Sequence, residues 1–329
     1  MFSKKVWIAA ALCCTIISIC AILFLSEAQT SKQKNVTSIK TTTIAQKPET
    51  AAKKSYIVLL GTGTPNAEPD RSGPSVAIIV GDTPYIFDCG PGIVRRASAA
   101  AQKGIKALRP ENLQYLFITH LHTDHTLGYP DLLFTPWVLG RSVPMEVYGP
   151  PGIIEMTDNL TEAYREDIDI RTYGLEQANK EGYKANVTVV FPGTVYSDSN
   201  ITVTAFFANH GNWQFAYGYR IETPDRVILI SGDTAPGGDL INNADSCDVL
   251  IHEVYSEAGY KKLSPEWQLY HSKSHTSTTQ LADIANKIQP KLLILYHQLT
   301  WGAAPKDILT EIGKYYKGKV VYGNDLEVW

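Results

Sequence analysis

Short β-branched and aromatic runs alternate along this chain with stretches whose apolar residues recur at helical spacing. Strands are expected near 56–60, 75–80, 84–88, 115–119 and 145–148, with helices near 92–103 and 151–166. The second half repeats the style. Strands are expected there near 187–191, 201–208, 216–222, 226–231, 248–252, 291–296 and 319–322, and helices near 277–288 and 305–316. Gly149-Pro150-Pro151-Gly152 reads as a turn before a helix and Phe191-Pro192-Gly193 as a turn between strands. Neither has the length or polarity of a linker, so residues 55–329 read as one domain. Two β-rich halves with interspersed helices predict an α/β fold in which two sheets pack face to face with helices outside, a four-layer αββα sandwich.

The pattern breaks at the N-terminus. Lys4 and Lys5 precede an apolar run over 6–25, and Ser26-Glu27-Ala28 offers a small-x-small cleavage site. Residues 1–28 therefore read as a signal peptide, with an uncleaved membrane anchor over 6–25 as the alternative. Both readings predict an exported domain, periplasmic or secreted, or else held at the membrane by 6–25. Residues 29–54 carry almost no large apolar groups and are expected to form a flexible linker, because they cannot offset the entropy of ordering.

Composition narrows the partners. The 329 residues are 44% hydrophobic and 19% charged with a formal net charge of −3, and the pI is about 6.2. No whole-domain basic field is available to grip a polyanion, which argues for a small-molecule substrate over nucleic acid. Three of the five cysteines lie in the N-terminal apolar run, leaving Cys89 and Cys247 as two semi-buried thiols and no disulfide framework.

The chemistry concentrates in Thr119-His120-Leu121-His122-Thr123-Asp124-His125. His120 and His122 leave the end of a strand two residues apart, so they point to the same side and can share one ion. Asp124 and His125 follow in a turn and can present a second pair of donors to a neighbouring ion. A carboxylate among imidazoles suits zinc, with manganese or iron as alternatives. None of the eight histidines precedes position 120. His210, Asp233 and His297 each follow an expected strand, which points to one site built along a sheet edge. No cysteine or serine stands in a recognisable nucleophile pattern with these histidines.

These residues, together with Ser231-Gly232-Asp233-Thr234, His252-Glu253 and Ser274-His275-Thr276-Ser277, resemble the motif series of the metallo-β-lactamase superfamily in its ribonuclease Z-like branch. The resemblance covers about 55–329. It implies the αββα fold and two Zn2+ ions, one held by His120, His122 and His210, the other by Asp124, His125 and His297, with Asp233 bridging. It also implies a catalytic couple in which Glu253 holds the tautomer of His275, the proton donor, while Asp124 helps to orient an attacking metal-bound hydroxide. His252 is expected to support the ligands from behind or to be structural, and His271 to lie on a loop surface, with substrate contact as the alternative.

For the substrate, the sequence reading favours an exported hydrolase of small sulfate or phosphate esters, resembling the branch's arylsulfatases and phosphodiesterases. Members of the branch that process tRNA carry a long basic arm where this chain has only the tight turn Thr223-Pro224-Asp225-Arg226. Trp137, Trp213 and Trp301, with Phe134 and Phe215, are candidates for holding an aryl group, and a homodimer stays open. The alternatives are a ribonuclease Z-like phosphodiesterase acting on RNA and a non-catalytic metal-binding protein.

Overall fold

A strand that is apolar at nearly every position needs a partner layer on each face, and this requirement sets the architecture. A computed structural model describes residues 53–329. The expected signal or anchor segment and nearly all of the expected linker lie outside the described residues. Among the described residues no helix is long and apolar enough to cross a membrane.

The first sheet has six strands in sequential order: β1 (Ser55–Gly61), β2 (Ser75–Val80), β3 (Thr83–Phe87), β4 (Tyr115–Phe117), β5 (Met145–Gly149) and β6 (Ala185–Val189). The second has seven, also in order: β7 (Gly193–Ser197), β8 (Thr202–Phe207), β9 (Tyr217–Glu222), β10 (Val227–Ile230), β11 (Val249–Tyr255), β12 (Leu292–Leu299) and β13 (Val320–Tyr322). Both are mixed: hairpins join β1 to β3 and β7 to β10, and parallel pairs complete each sheet.

Between and around these strands run α1 (Ile93–Gln102), α2 (Thr123–Thr126), α3 (Tyr129–Val138), α4 (Ile153–Ala163), α5 (Arg165–Tyr173), α6 (Gly238–Asn242), α7 (Glu257–Tyr260), α8 (Pro265–Ser274), α9 (Thr278–Ile288) and α10 (Pro305–Gly313). Strand alternation sorts the core into three apolar layers. Ile57, Leu59, Val76 and Ile78 meet Val203, Ile221, Ile228 and Ile251 between the sheets. Their alternates Val58, Leu60, Ala77 and Ile79 pack under Ile93, Ala97, Leu133 and Ile153 of the helices outside the first sheet. Leu250, Leu293 and Leu295 pack under Leu281, Ala285 and Ile308 outside the second. The four-layer αββα sandwich is the fold, as expected.

Several details differ from the sequence reading. The expected helix over 151–166 ends at Ala163, and α5 starts after the break at Tyr164. Strand β7 and helix α8 were not expected, since one is a half-exposed edge and the other lacks a clear apolar face. Cys89 and Cys247 are buried and unbridged, in line with the small-hydrophobe reading.

Candidate metal centre

The two sheets are fastened together where the first histidine leaves its strand. Tyr217 N–H donates to Thr119 O (2.9 Å) and Tyr219 Oη to Ile118 O (2.7 Å), so β9 fixes the chain that launches His120. The following turn becomes α2, pinned by Cys89 N–H to His125 O at 2.9 Å. His120 Nε2 and His122 Nδ1 then lie 3.0 Å apart, and His210 Nε2 comes to 3.1 Å from the same His122 atom. The single proton His122 Nδ1 can carry cannot bond both neighbours well at once. Three nitrogens converging on one point form the donor set of a cation.

The other donors gather beside them. His297 Nε2 is 3.2 Å from Asp124 Oδ2, and His125 Nε2 is 3.5 Å from the same oxygen. Asp233 stands between the groups. Its Oδ2 is 3.9 Å from His120 and His210 and 3.4 Å from His297, while Oδ1 is 3.4 Å from His125. His120, His122, His210 and Asp233 can hold one ion, and Asp124, His125 and His297 another. All seven expected ligands are therefore brought together.

The backbone devices that aim them are specific. Asp233 follows Gly232, whose φ of 60° and near contact with Tyr217 O exclude a side chain. His297 was expected just beyond a strand ending at 296, but β12 continues to Leu299. It is skipped in the pairing of Tyr296 with Glu253 and Gln298 with Val254, a one-residue bulge at φ 43° that turns its ring out of the ladder.

Outer partners fix the rings. Thr119 Oγ1 lies 3.0 Å from His120 Nδ1, and Ser274 O accepts from His210 Nδ1 at 2.8 Å. Asp88 was missed in the sequence. Its buried carboxylate accepts from Thr119 N–H (2.8 Å), Thr119 Oγ1 (2.9 Å) and His125 Nδ1 (2.8 Å), which leaves Nε2 of His125 free for a metal. An acidic residue directly after strand β3 was its only signal.

Electrostatics suit cations. Burial, aided by neighbouring imidazoles, holds His120 well below its usual range and brings His122 to about 4; burial likewise brings His210 to about 4. Neutral rings keep a lone pair for coordination. Burial also opposes charge on His125, but the carboxylates of Asp233, Asp124 and Asp88 outweigh it and hold that ring above its usual range. Burial works against an ionised Asp233 too, yet His297, His125 and His275 keep its carboxyl well below the ordinary value.

His275 Nδ1 sits 3.4 Å from Glu253 Oε1, a contact slightly longer than a good hydrogen bond. The same oxygen accepts from Thr234 N–H (3.2 Å) and Thr276 N–H (2.9 Å), so Glu253 ties the loops bearing Asp233 and His275 together. His252 is fully buried against its neighbour's carbonyl and is structural.

The expected substrate residues separate. Trp137 is 1% exposed and donates to Asn179 O, which places it in the core and removes it from the site. Trp213 packs edge to face on His122 with ring centres 4.9 Å apart, bracing that ring from outside the donor cluster. Trp301 lines a cavity of about 590 Å³ that opens onto His122, Asp124, Asp233, His275 and His297. His271, expected on a loop surface, is instead a buried residue of α8 in that cavity wall. Arg141 is buried too, its guanidinium spent on carbonyls of Leu113, Leu132, Leu133 and Gly182.

Residues 83–298 match the family described as Beta-lactamase superfamily domain. The chain is 28% identical to a Ribonuclease Z of Mycobacterium bovis over 283 residues, covering 82% of this chain and 96% of that protein. It is 30% identical to a Ribonuclease Z of Mycobacterium sp. (strain KMS), covering 74% and 84% respectively. Among solved structures, a metallo-beta-lactamase fold protein of Bacillus subtilis superposes with a TM-score of 0.65 at 17% identity, covering 84% of this chain and 98% of that one. The short form of human tRNase Z gives 0.63 at 22%, covering 83% and 98%.

These relatives overturn the expectation of an arylsulfatase-like enzyme for small esters with no nucleic-acid partner, since the similar curated proteins carry the name Ribonuclease Z across most of their length. The structure also withdraws part of the support that expectation had, because Phe134 and Trp137 are core residues. With the family matched across the centre and the fold shared throughout, the chain belongs to the beta-lactamase superfamily and is a metal-dependent hydrolase.

Proposed function

We propose that the protein hydrolyses phosphodiester bonds in RNA, with two zinc ions held by His120, His122 and His210 and by Asp124, His125 and His297. The observation that carries the reading is Asp233, whose carboxylate reaches both donor groups within 3.9 Å and can be shared between two ions. The Ribonuclease Z relatives support RNA as the substrate class. An imidazole-rich donor set with carboxylates favours zinc. When bound, such an ion pair supplies Lewis acidity and neutralises charge on a phosphoryl group.

The chain's own residues do the rest. Asp124 and Asp233 face the open cavity with carboxylate oxygens that can orient a water for in-line attack. His275, in the cavity wall, is held at about 4 chiefly by burial, so it acts as a neutral ring. A neutral imidazole still offers one N–H, which serves the departing oxygen. Glu253 positions that ring. The turn closed by Thr223 N–H to Arg226 O (3.0 Å) leaves no arm between β9 and β10, so RNA has to be gripped at the rim of the centre. As a separate proposal, residues 1–28 export the chain, as a cleaved signal peptide or as an uncleaved anchor over 6–25.

The test is incubation of the zinc-reconstituted protein with end-labelled single-stranded RNA and with precursor tRNA. Cleavage of either, absent in Asp233→Ala, is expected. A protein that binds zinc stoichiometrically and leaves both RNAs intact would overturn the proposal.

A further inference from the structure

Helix α8 forms a wall whose chemistry differs from the metal centre it borders. Trp267 and Tyr270 are 57% and 40% exposed, far more than core aromatics, and they stand edge to face with ring centres 5.7 Å apart. From Trp267 a file of rings runs inward. His271 stacks on it at 5.7 Å, His275 lies 5.3 Å from His271, and His297 stacks on His275 at 5.7 Å. Trp301 closes the opposite side at 4.6 Å from His271. Among the described residues no lysine or arginine lines this cavity.

The wall is built rather than incidental. Tyr260 Oη donates to Gln268 O (3.0 Å) and Gln268 Nε2 to Leu263 O (3.0 Å), anchoring α8 to the segment before it. Ser274, the last residue of α8, holds His210 through its carbonyl, so the wall is rigidly indexed to the donor atoms. His271 is more than nine-tenths buried, lines the cavity, and its Nδ1 has no hydrogen-bond partner. Buried polar atoms are rarely left so, and an unpaired ring among aromatic faces suits a ligand that is flat, aromatic and polar at its edge.

We infer that Trp267, Tyr270, His271 and Trp301 form a stacking pocket for one unpaired nucleobase next to the scissile phosphate. This rests on the RNA-cleaving reading above. The aromatic wall itself offers an anion no lysine or arginine among the described residues, whereas unstacked bases of single-stranded RNA bind by stacking on aromatic rings and hydrogen bonding at their edges. The phosphate goes to the metal centre and the base to the wall, so the enzyme selects RNA ends or loops whose base is free to leave the helix.

Two measurements test this with the full chain. The first scans a single abasic residue through the positions around the cleavage site of the RNA that is cut. In the wild type one flanking abasic residue is expected to lower kcat/KM by about 10- to 100-fold, mostly through KM. In Trp267→Ala and His271→Ala that penalty should shrink to about 2-fold. Trp267 is largely exposed, so its variant should fold, which circular dichroism checks. An undiminished penalty in both variants, or no penalty at any position, overturns the pocket. The second titrates adenosine monophosphate into metal-stripped protein by calorimetry, with ribose 5-phosphate as the base-free control. Preference for the nucleotide that is lost in Trp267→Ala supports the pocket even if RNA is not cleaved, which would defeat only the reading above. RNA cleavage with no preference in either assay defeats the pocket alone.

Discussion

The two sheets supply the metal centre by opposite means. The first sheet sends four donors from one strand end, His120, His122, Asp124 and His125, through a short stretch and a single helical turn. The second sends three donors from three strands, one each, and two of them depend on unusual backbone. Asp233 follows a glycine in the left-handed region, and His297 occupies a bulge at φ 43°. A contiguous motif keeps its internal geometry through local bonds. Dispersed donors have no geometry until the sheet is paired. The first set should therefore tolerate a loosened neighbourhood better than the second, and Asp233 should matter most because it touches both.

The largest effect is expected for Asp233→Ala, which removes the shared carboxylate. Activity should fall by about 10³-fold or more, and bound zinc, measured by elemental analysis, should drop below two per chain. Retention of both ions at full rate would mean that the two groups do not depend on a common residue. Asp88→Asn comes next. It withdraws charge from His125 Nδ1, and a metal affinity loss of about 10- to 100-fold is expected, confined to the ion held by Asp124, His125 and His297. Equal weakening of both ions in competition with a chelator would contradict that assignment.

Trp213→Ala should cost less, about 10-fold in affinity for the ion at His122, because it removes the aromatic ring packed edge to face on that imidazole. The smallest effect probes the bulge. The Arg71 guanidinium bonds Gln298 Oε1 and Thr62 O, clamping the residue after His297 to the first sheet's edge loop. Arg71→Met should lower stability by about 1–2 kcal/mol, read as a drop in Tm, and weaken metal binding at His297 more than at His120. If it left the His297 side untouched, the contrast between contiguous and dispersed donors would lose its basis.

Much of the fold was legible because its signals are local. Runs such as 76–80 and 249–251 are apolar on both faces, which marks strands covered on both sides. Helix α9 carries a Ser277/Gln280 capping box at its start. Helix α8 was not legible, because Trp267, Tyr270 and His271 break its polar pattern without forming an apolar stripe. They face a cavity rather than a core, and periodicity reports only cores. Trp137 was misjudged for the converse reason: it is a core residue, and its proximity to the histidine cluster in sequence does not reveal that it points away from them.

By itself the amino-acid sequence determined the strand and helix alternation, the three-histidine cluster at 120–125 and the types of residue able to bind metal. Each of these is written in neighbouring positions, where side-chain spacing and strand ends act directly. Only the tertiary structure decided that Asp88 would orient His125 from 37 positions away, that His297 would be turned out by a bulge, and that α8 would raise an aromatic wall beside the donors. Those outcomes depend on which strands pair and in what register, and pairing across the sheets is a property of the whole packed chain.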